Sequence, residues 1–311
     1  MPNWAELPEE LIGLVVKRLV GYHDLSDYFS FHAVCRAWRS VASEKHYYTG
    51  VSGYKVPWLM MAEKEASDIR SFYSLSTKKF INISLPEARR RRCWGSPNGW
   101  LITIGIDLEV HLLNPLTHVQ IRLPPQTAFK DPYSHKIIYL PVKLHLYSIE
   151  KAILLSAPLS SITNDNCIVM VIYSEWSKLA IVKPGDETWT TLESPFGSYE
   201  DFLFFRNQVY AFNFAGVLRV CDISSTQPKA VDFASPPKDF MGSERSYLVE
   251  VGGNLLLVER IYDYDEDAYN GDPDFYAKNV ETIFFFIYKL DLCTRKWEDL
   301  ECSFGDCYFR W

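Results

Sequence analysis

The 311 residues carry 48% hydrophobic and 15% aromatic side chains, enough for one large or two ordinary packed domains and too apolar for a disordered chain. The formal charge of −7 argues against nucleic acid as the main partner, because phosphate recognition needs concentrated positive surface.

The chain opens Met1-Pro2-Asn3-Trp4-Ala5-Glu6, acidic where an export signal carries a basic stretch. No run approaches about eighteen uninterrupted apolar residues, so no membrane span is expected. Seven cysteines (Cys35, Cys93, Cys167, Cys221, Cys293, Cys302, Cys307) are odd in number and mostly isolated, which fits an intracellular, reduced protein of the nucleus or cytoplasm.

Residues 4–45 read as helical. Pro8 suits a first helical position, and Glu9 and Glu10 complement the helix dipole in the first turn. Leu11, Val15 and Leu19 recur at helical spacing, with Ile12 and Val16 widening the stripe until Gly21 ends it. Asp24 or Ser26 can cap a second helix bearing Tyr28, Phe29 and Phe31. A third, from about Ala33 to Ser43, places Val34, Trp38 and Val41 on one face.

From about Gly53 the pattern becomes short β runs divided by Pro, Gly, Asn and Ser. The expected strands are Trp100–Ile106, Glu109–Leu113, Ile137–Leu140, Cys167–Tyr173, Leu179–Lys183, Phe202–Phe205, Gln208–Phe212, Leu218–Asp222, Tyr247–Val251, Asn254–Glu259 and Ile283–Leu290. Such runs suit a sandwich, a barrel or a propeller. One element recurs: a strand, a polar turn, then a strand ending at Ile83, Leu123, Leu192, Val231 or Leu300, at separations of 40, 69, 39 and 69 residues. Units of about 40–50 residues closed by a hairpin favour a propeller of repeated four-stranded blades, with an insertion or a degenerate blade in each longer interval.

Two groups of residues carry a family resemblance. Leu7-Pro8-Glu9-Glu10-Leu11-Ile12 followed by Val34-Cys35-Arg36-Ala37-Trp38-Arg39 resembles the F-box over about residues 4–44. Arg91-Arg92-Cys93-Trp94-Gly95-Ser96-Pro97-Asn98-Gly99-Trp100-Leu101, with Leu112-Leu113-Asn114-Pro115-Leu116-Thr117 and Leu123-Pro124-Pro125, resembles the kelch-like domain that follows the F-box in a large plant family. The resemblance implies an α+β multidomain chain: a three-helix F-box over residues 1–48, then an all-β, kelch-like β-propeller over residues 49–311. Relatives continue with one more β segment past Phe304-Gly305-Asp306, so a β domain truncated at its C-terminus is expected.

The function implied is that of a non-catalytic substrate receptor in an SCF-type (adaptor–cullin–F-box) ubiquitin ligase. The Skp-type adaptor would bind Leu7, Pro8, Leu11, Ile12, Val15, Leu19, Val34 and Trp38, linking the chain to cullin and RING subunits, while the β domain holds a protein target. A module of about forty residues buries its own apolar stripe poorly, which independently points to a partner groove. Alternatives are a binding protein outside ubiquitination and a decayed paralogue lacking a competent receptor domain. The loops Gln126–Ser134 and Ala157–Asn166 are plausible target contacts.

Other motifs read as structural. Arg89-Arg90-Arg91-Arg92 is an exposed lead-in to a strand rather than an import signal or phosphate site. Asp263-Tyr264-Asp265-Glu266-Asp267 opens like a calcium loop, but Ala268 stands where the turn needs glycine and Asp274 where glutamate belongs. Cys302 and Cys307 lack nearby ligands to complete a zinc site, and His111 and His118 flank a turn. Trp100, Trp189 and Trp297 read as core anchors. No catalytic residue, metal or cofactor is expected.

Overall fold

The computed structural model describes residues 7–21, 31, 34–42, 58–65, 67–75, 77–96, 99–116, 118–129, 145, 148–155, 167–195, 197–242, 245–263 and 281–300. The strand expected at Ile137–Leu140 and the helix expected around Tyr28 and Phe29 lie outside these residues, as do Cys302 and Cys307.

Among the described residues two helices stand in the N-terminal part, α1 (Glu9–Gly21) and α2 (Arg36–Ala42), packed against one another. The Pro8 carbonyl accepts from the amides of Leu11 and Ile12 at 3.0 and 3.1 Å, so the proline sits at the helix entry, where its missing N–H costs nothing. The Trp38 amide donates to Cys35 Sγ at 3.5 Å, a weak cap at the start of α2.

Among the described residues the strands that follow form five antiparallel sheets. Sheet 1 holds β1 (Trp58–Met60), β2 (Ile69–Ser74) and β3 (Lys79–Ser84). Sheet 2 holds β4 (Arg91–Gly95), β5 (Leu101–Gly105), β6 (Val110–Leu113) and β7 (Gln120–Leu123). Sheet 3 holds β8 (Ile149–Leu154), β9 (Val169–Tyr173), β10 (Lys178–Val182) and β11 (Thr190–Thr191). Sheet 4 runs β12 (Tyr199–Phe205), β13 (Gln208–Asn213), β14 (Leu218–Asp222) and β15 (Lys229–Ala234). Sheet 5 runs β16 (Arg245–Val251), β17 (Asn254–Asp263), β18 (Glu281–Asp291) and β19 (Lys296–Asp299). Strands adjacent in sequence are adjacent in every sheet, the up-and-down order of a propeller blade.

The recurring element of the sequence is the last hairpin of each sheet. Its turn has one geometry at three of the five positions: the amides of Lys78, His118 and Arg295 donate to the carbonyls of Ser74, Asn114 and Asp291, four residues earlier, at 2.9, 2.9 and 2.8 Å. Each donor residue is left-handed, with φ of 55°, 58° and 57°. A polar side chain opens the turn and accepts from an amide inside it: Asn114 from Leu116 at 2.9 Å, Asp222 from Ser224 at 3.1 Å, Asp291 from Cys293 at 2.8 Å. Each 69-residue interval holds one sheet among the described residues.

The first hairpins of sheets 4 and 5 are tighter. Arg206-Asn207 and Gly252-Gly253 both have positive φ at the two central positions, the turn whose twist matches paired strands. The Arg206 guanidinium donates to the Gly253 carbonyl at 2.8 Å and ties one turn to the other.

The chain divides into two compact units, one of Met1–Ser148, Ala152–Met170 and Val182–Trp189, the other of Ile149–Lys151, Val171–Ile181 and Thr190–Trp311. In the first, Leu85, Ala88, Leu101 and Leu113 form a core with Met60 and Cys93 against it. In the second, Phe205, Phe212, Leu218, Leu248, Leu257 and Tyr288 build a larger core, with Trp297 edge-on to Phe212 at 6.4 Å. Trp100 and Trp189 are buried and Trp297 packs on this core, the anchoring roles expected of them.

The arginine run departs from its expected place. Arg91 and Arg92 lie within β4, and the Arg91 guanidinium is turned inward. It donates to Thr103 Oγ1 at 3.1 Å, to the Glu109 carbonyl at 2.5 Å and to His111 Nδ1 at 2.9 Å. A strand period read from charge alone does not reveal that three acceptors wait across the sheet.

Candidate functional site

The α1 helix separates into two faces. Ile12 and Val16 are buried, at 1% and 0% exposure, together with Phe31 and Val41, and the Trp38 ring stacks on Phe31 at 4.3 Å. Pro8, Leu11, Leu14, Val15 and Arg18 are exposed; at about 100° per residue they share one side of the cylinder. Leu11 is 48% exposed and Leu14 57%. The helix thus spends one apolar stripe on its own small core and presents a second to the outside.

Seven of the eight residues expected at the adaptor site have a place in this division. Pro8, Leu11, Val15 and Val34 are exposed, Leu7 and Trp38 half-buried, and Ile12 is interior. The Leu19 side chain lies outside the described residues. Leu14 was missed by sequence reasoning, although its spacing of three from Leu11 was a usable signal.

The remaining candidate chemistry is occupied by structure. His111 is held below its ordinary range, first by burial and then by the Arg91 guanidinium whose hydrogen bond it accepts. His118 faces Glu87 at 3.1 Å, so the two histidines serve different contacts. Burial pushes the Cys93 thiol up to about 11 against the pull of Arg70 and Arg91, and that of Cys221 up to about 12. Neither is a nucleophile at neutral pH. Among the described residues no group of three or more His, Cys, Asp or Glu side chains could hold a metal ion, and no helix is long and apolar enough to cross a membrane. Of the two loops proposed for target contact, only Gln126–Phe129 is described. Gln126 is buried, and Phe129 stacks on Trp189 at 4.5 Å, so this stretch packs inward.

Comparison with known proteins finds relatives along nearly the whole chain. "F-box protein SKIP23" of Arabidopsis thaliana is 26% identical over 96% of this chain and 76% of its own length. "Putative F-box protein At5g55150" of the same plant is 27% identical over 99% and 78%. Among solved structures, the β-propeller domain of Myceliophteria thermophila Cps50 (Swd1) covers 79% of this chain and 90% of its own at 10% identity and a TM-score of 0.35, a likeness too distant to bear on function. The family described as KIB1-4 beta-propeller matches residues 72–309, from within β2 to beyond β19. With five sheets of propeller-blade order over the matched span, the chain belongs to the KIB1-4 beta-propeller family.

Proposed function

We propose that this chain is the substrate receptor of an SCF-type ubiquitin ligase. Residues 1–48 form the F-box, which docks on a Skp-type adaptor and through it on cullin and RING subunits. Residues 49–311 form a kelch-like receptor domain that holds the target protein, in the nucleus or cytoplasm. The chain performs no bond chemistry itself; it raises the effective concentration of the target at the ubiquitin donor. The observation that carries this reading is the second apolar stripe of α1, Pro8, Leu11, Leu14 and Val15, left outside the helical core. Relatives named F-box proteins align along nearly the whole chain, which supports the assignment.

The test is adaptor capture by the full chain carrying Leu11→Glu and Val15→Glu. Loss of capture with an unchanged melting temperature is the expected outcome, because both side chains are exposed. Undiminished capture refutes the reading. Ile12→Asp is the contrasting control: it places a charge in the helical core and should cost about 3 kcal/mol or more of local stability.

A further inference from the structure

We propose that the hairpin turns at one end of sheets 4 and 5 form a docking site for an acidic polypeptide segment, whose carboxylates are received by the Arg206 and Arg295 guanidiniums and the Tyr210 hydroxyl along a row of aromatic rings. The proposal rests on the receptor reading above only in making that segment part of the target.

The turns of four hairpins, β12–β13, β14–β15, β16–β17 and β18–β19, lie at this end, since Phe205 pairs with Gln208, Val209 with Cys221, Val251 with Asn254, Leu256 with Lys289 and Asp291 with Lys296. Phe205, Tyr210 and Phe233 stand there in a row, with successive ring centroids 6.2 and 5.5 Å apart. An arginine lies on each end of the row: Arg206 Cζ is 5.1 Å from the Phe205 centroid, and Arg295 Cζ is 4.9 Å from that of Phe233. Stacking occupies the face of a guanidinium and leaves its in-plane N–H groups to grip a carboxylate edge-on. Arg206 is further steadied by its bond to the Gly253 carbonyl at 2.8 Å. Both arginines are exposed, and among the described residues neither has a carboxylate partner, whereas Arg219 of sheet 4 is held by Asp232 at 2.7 Å.

Arg206 and Arg295 also hold left-handed turn positions, at φ 48° and 57°, where glycine or asparagine sits with less strain. Tyr210 adds a donor. It is only 7% exposed, and no group among the described residues hydrogen-bonds its hydroxyl. Burial raises its pKa against the pull of Arg206, so the hydroxyl keeps its proton at neutral pH. A buried polar side chain without a protein partner, next to an unpaired cation, points to a ligand that supplies acceptors.

Charge sets the kind of partner. The turns at this end bear Arg206, Lys229, Arg295 and Lys296 against Asp222 and Asp291, all of them described residues. Both aspartates are committed to their own turns, Asp222 accepting from Ser224, and Asp291 from Cys293 and Thr294. Exposed Glu250, near the end of β16, leaves the balance positive, and Glu298 stands opposite Lys289 across β18 and β19. In a chain of formal charge −7 this is a local reversal of sign, which draws in an acidic segment and speeds its encounter. Four cations around an aromatic row are too few to track a nucleic-acid backbone.

The experiment titrates the full chain into three fluorescent probes: a synthetic peptide of alternating glutamate and serine, the same peptide with glutamine for every glutamate, and a single-stranded oligonucleotide matched in charge to the first. The glutamate peptide should bind, weaken as salt is added, and exceed the glutamine peptide by about tenfold or more. Arg206→Gln with Arg295→Gln should lose about tenfold or more, and Tyr210→Phe, which keeps the ring, about threefold. Equal affinity for the two peptides overturns the proposal, as does undiminished binding by either variant. Oligonucleotide binding as tight as that of the glutamate peptide overturns it too. So does self-association of the wild type that the double variant abolishes, since a second copy would then be the occupant. The probe comparison is read on the wild type, and Tyr210→Phe removes a single oxygen, so the test stands even if the double variant folds poorly. Adaptor capture is measured in parallel: its failure sinks the ligase reading while the peptides still decide the site, and capture without glutamate-selective binding sinks only the site.

Discussion

Single side chains in this protein are decided by what stands across the sheet from them. His111 accepts from Arg91, so the fold needs the neutral ring, and its proton affinity is held below the ordinary value. An unfolded chain protonates that ring below about pH 6.5, hence stability falls as acid is added through that range and is recovered on raising the pH. The denaturant midpoint should drop between about pH 7.5 and about pH 5.5, and His111→Asn should shrink the drop. An equal drop in the variant would assign the effect to other groups, His145 among them, which burial also holds low. The thiols follow the same logic. Cys221 is buried and Cys293 exposed, so site-resolved alkylation of the native protein should label Cys293 quickly and Cys221 and Cys93 only on unfolding. Rapid labelling of Cys221 would mean that β14 opens in the native state.

At the scale of elements, most strands were legible because alternating β-branched and aromatic residues between turn signals leave little choice. Gln208–Phe212 and Leu218–Asp222 were expected nearly as they stand, since β13 and β14 differ by one residue at most. The misses have physical reasons. β1 is three residues long, too short for a period to register. β4 was hidden by its arginines, whose acceptors come from Thr103, Glu109 and His111 farther along the chain. In the helices, the apolar stripe was visible but its division was not: Ile12 and Leu11 are neighbours in sequence, and only the packing of α2 and Phe31 shows which turns inward. Trp189 gives a test of anchoring. Its indole donates to the Pro124 carbonyl at 3.0 Å and lies under Phe129, so Trp189→Ala should cost about 3–5 kcal/mol in a denaturant titration. A loss below about 1 kcal/mol would show that the site collapses around the gap.

At the scale of the molecule, the repeat pointed from sequence to a propeller while its unequal spacing left the number of blades open; the described residues form five sheets, each closed by one copy of the repeat. Neighbouring sheets are joined by polar side chains as well as by apolar cores. Asp201 on β12 accepts from the Leu248 amide of β16 at 2.8 Å and from its own Phe202 amide at 2.9 Å, and it is ion-paired with Lys151 of β8. One buried carboxylate therefore touches three sheets. Asp201→Ala leaves the Leu248 amide and the Lys151 ammonium without it, and should cost about 2–3 kcal/mol, tempered by the partial exposure of the lysine. Double-mutant cycles with Lys151→Met should return a coupling of about 1 kcal/mol; strict additivity would mean that the ion pair contributes nothing.

The left-handed residue that closes the hairpins at Lys78, His118 and Arg295 has a wider use. A valine or isoleucine fits that backbone basin badly, so the position is barred to the residues that strands prefer. An opening polar side chain followed four places on by such a residue closes the last hairpins of sheets 1, 2 and 5, so a β-branched replacement at Lys78, His118 or Arg295 should loosen that one hairpin and leave the turns of sheets 3 and 4 as they are.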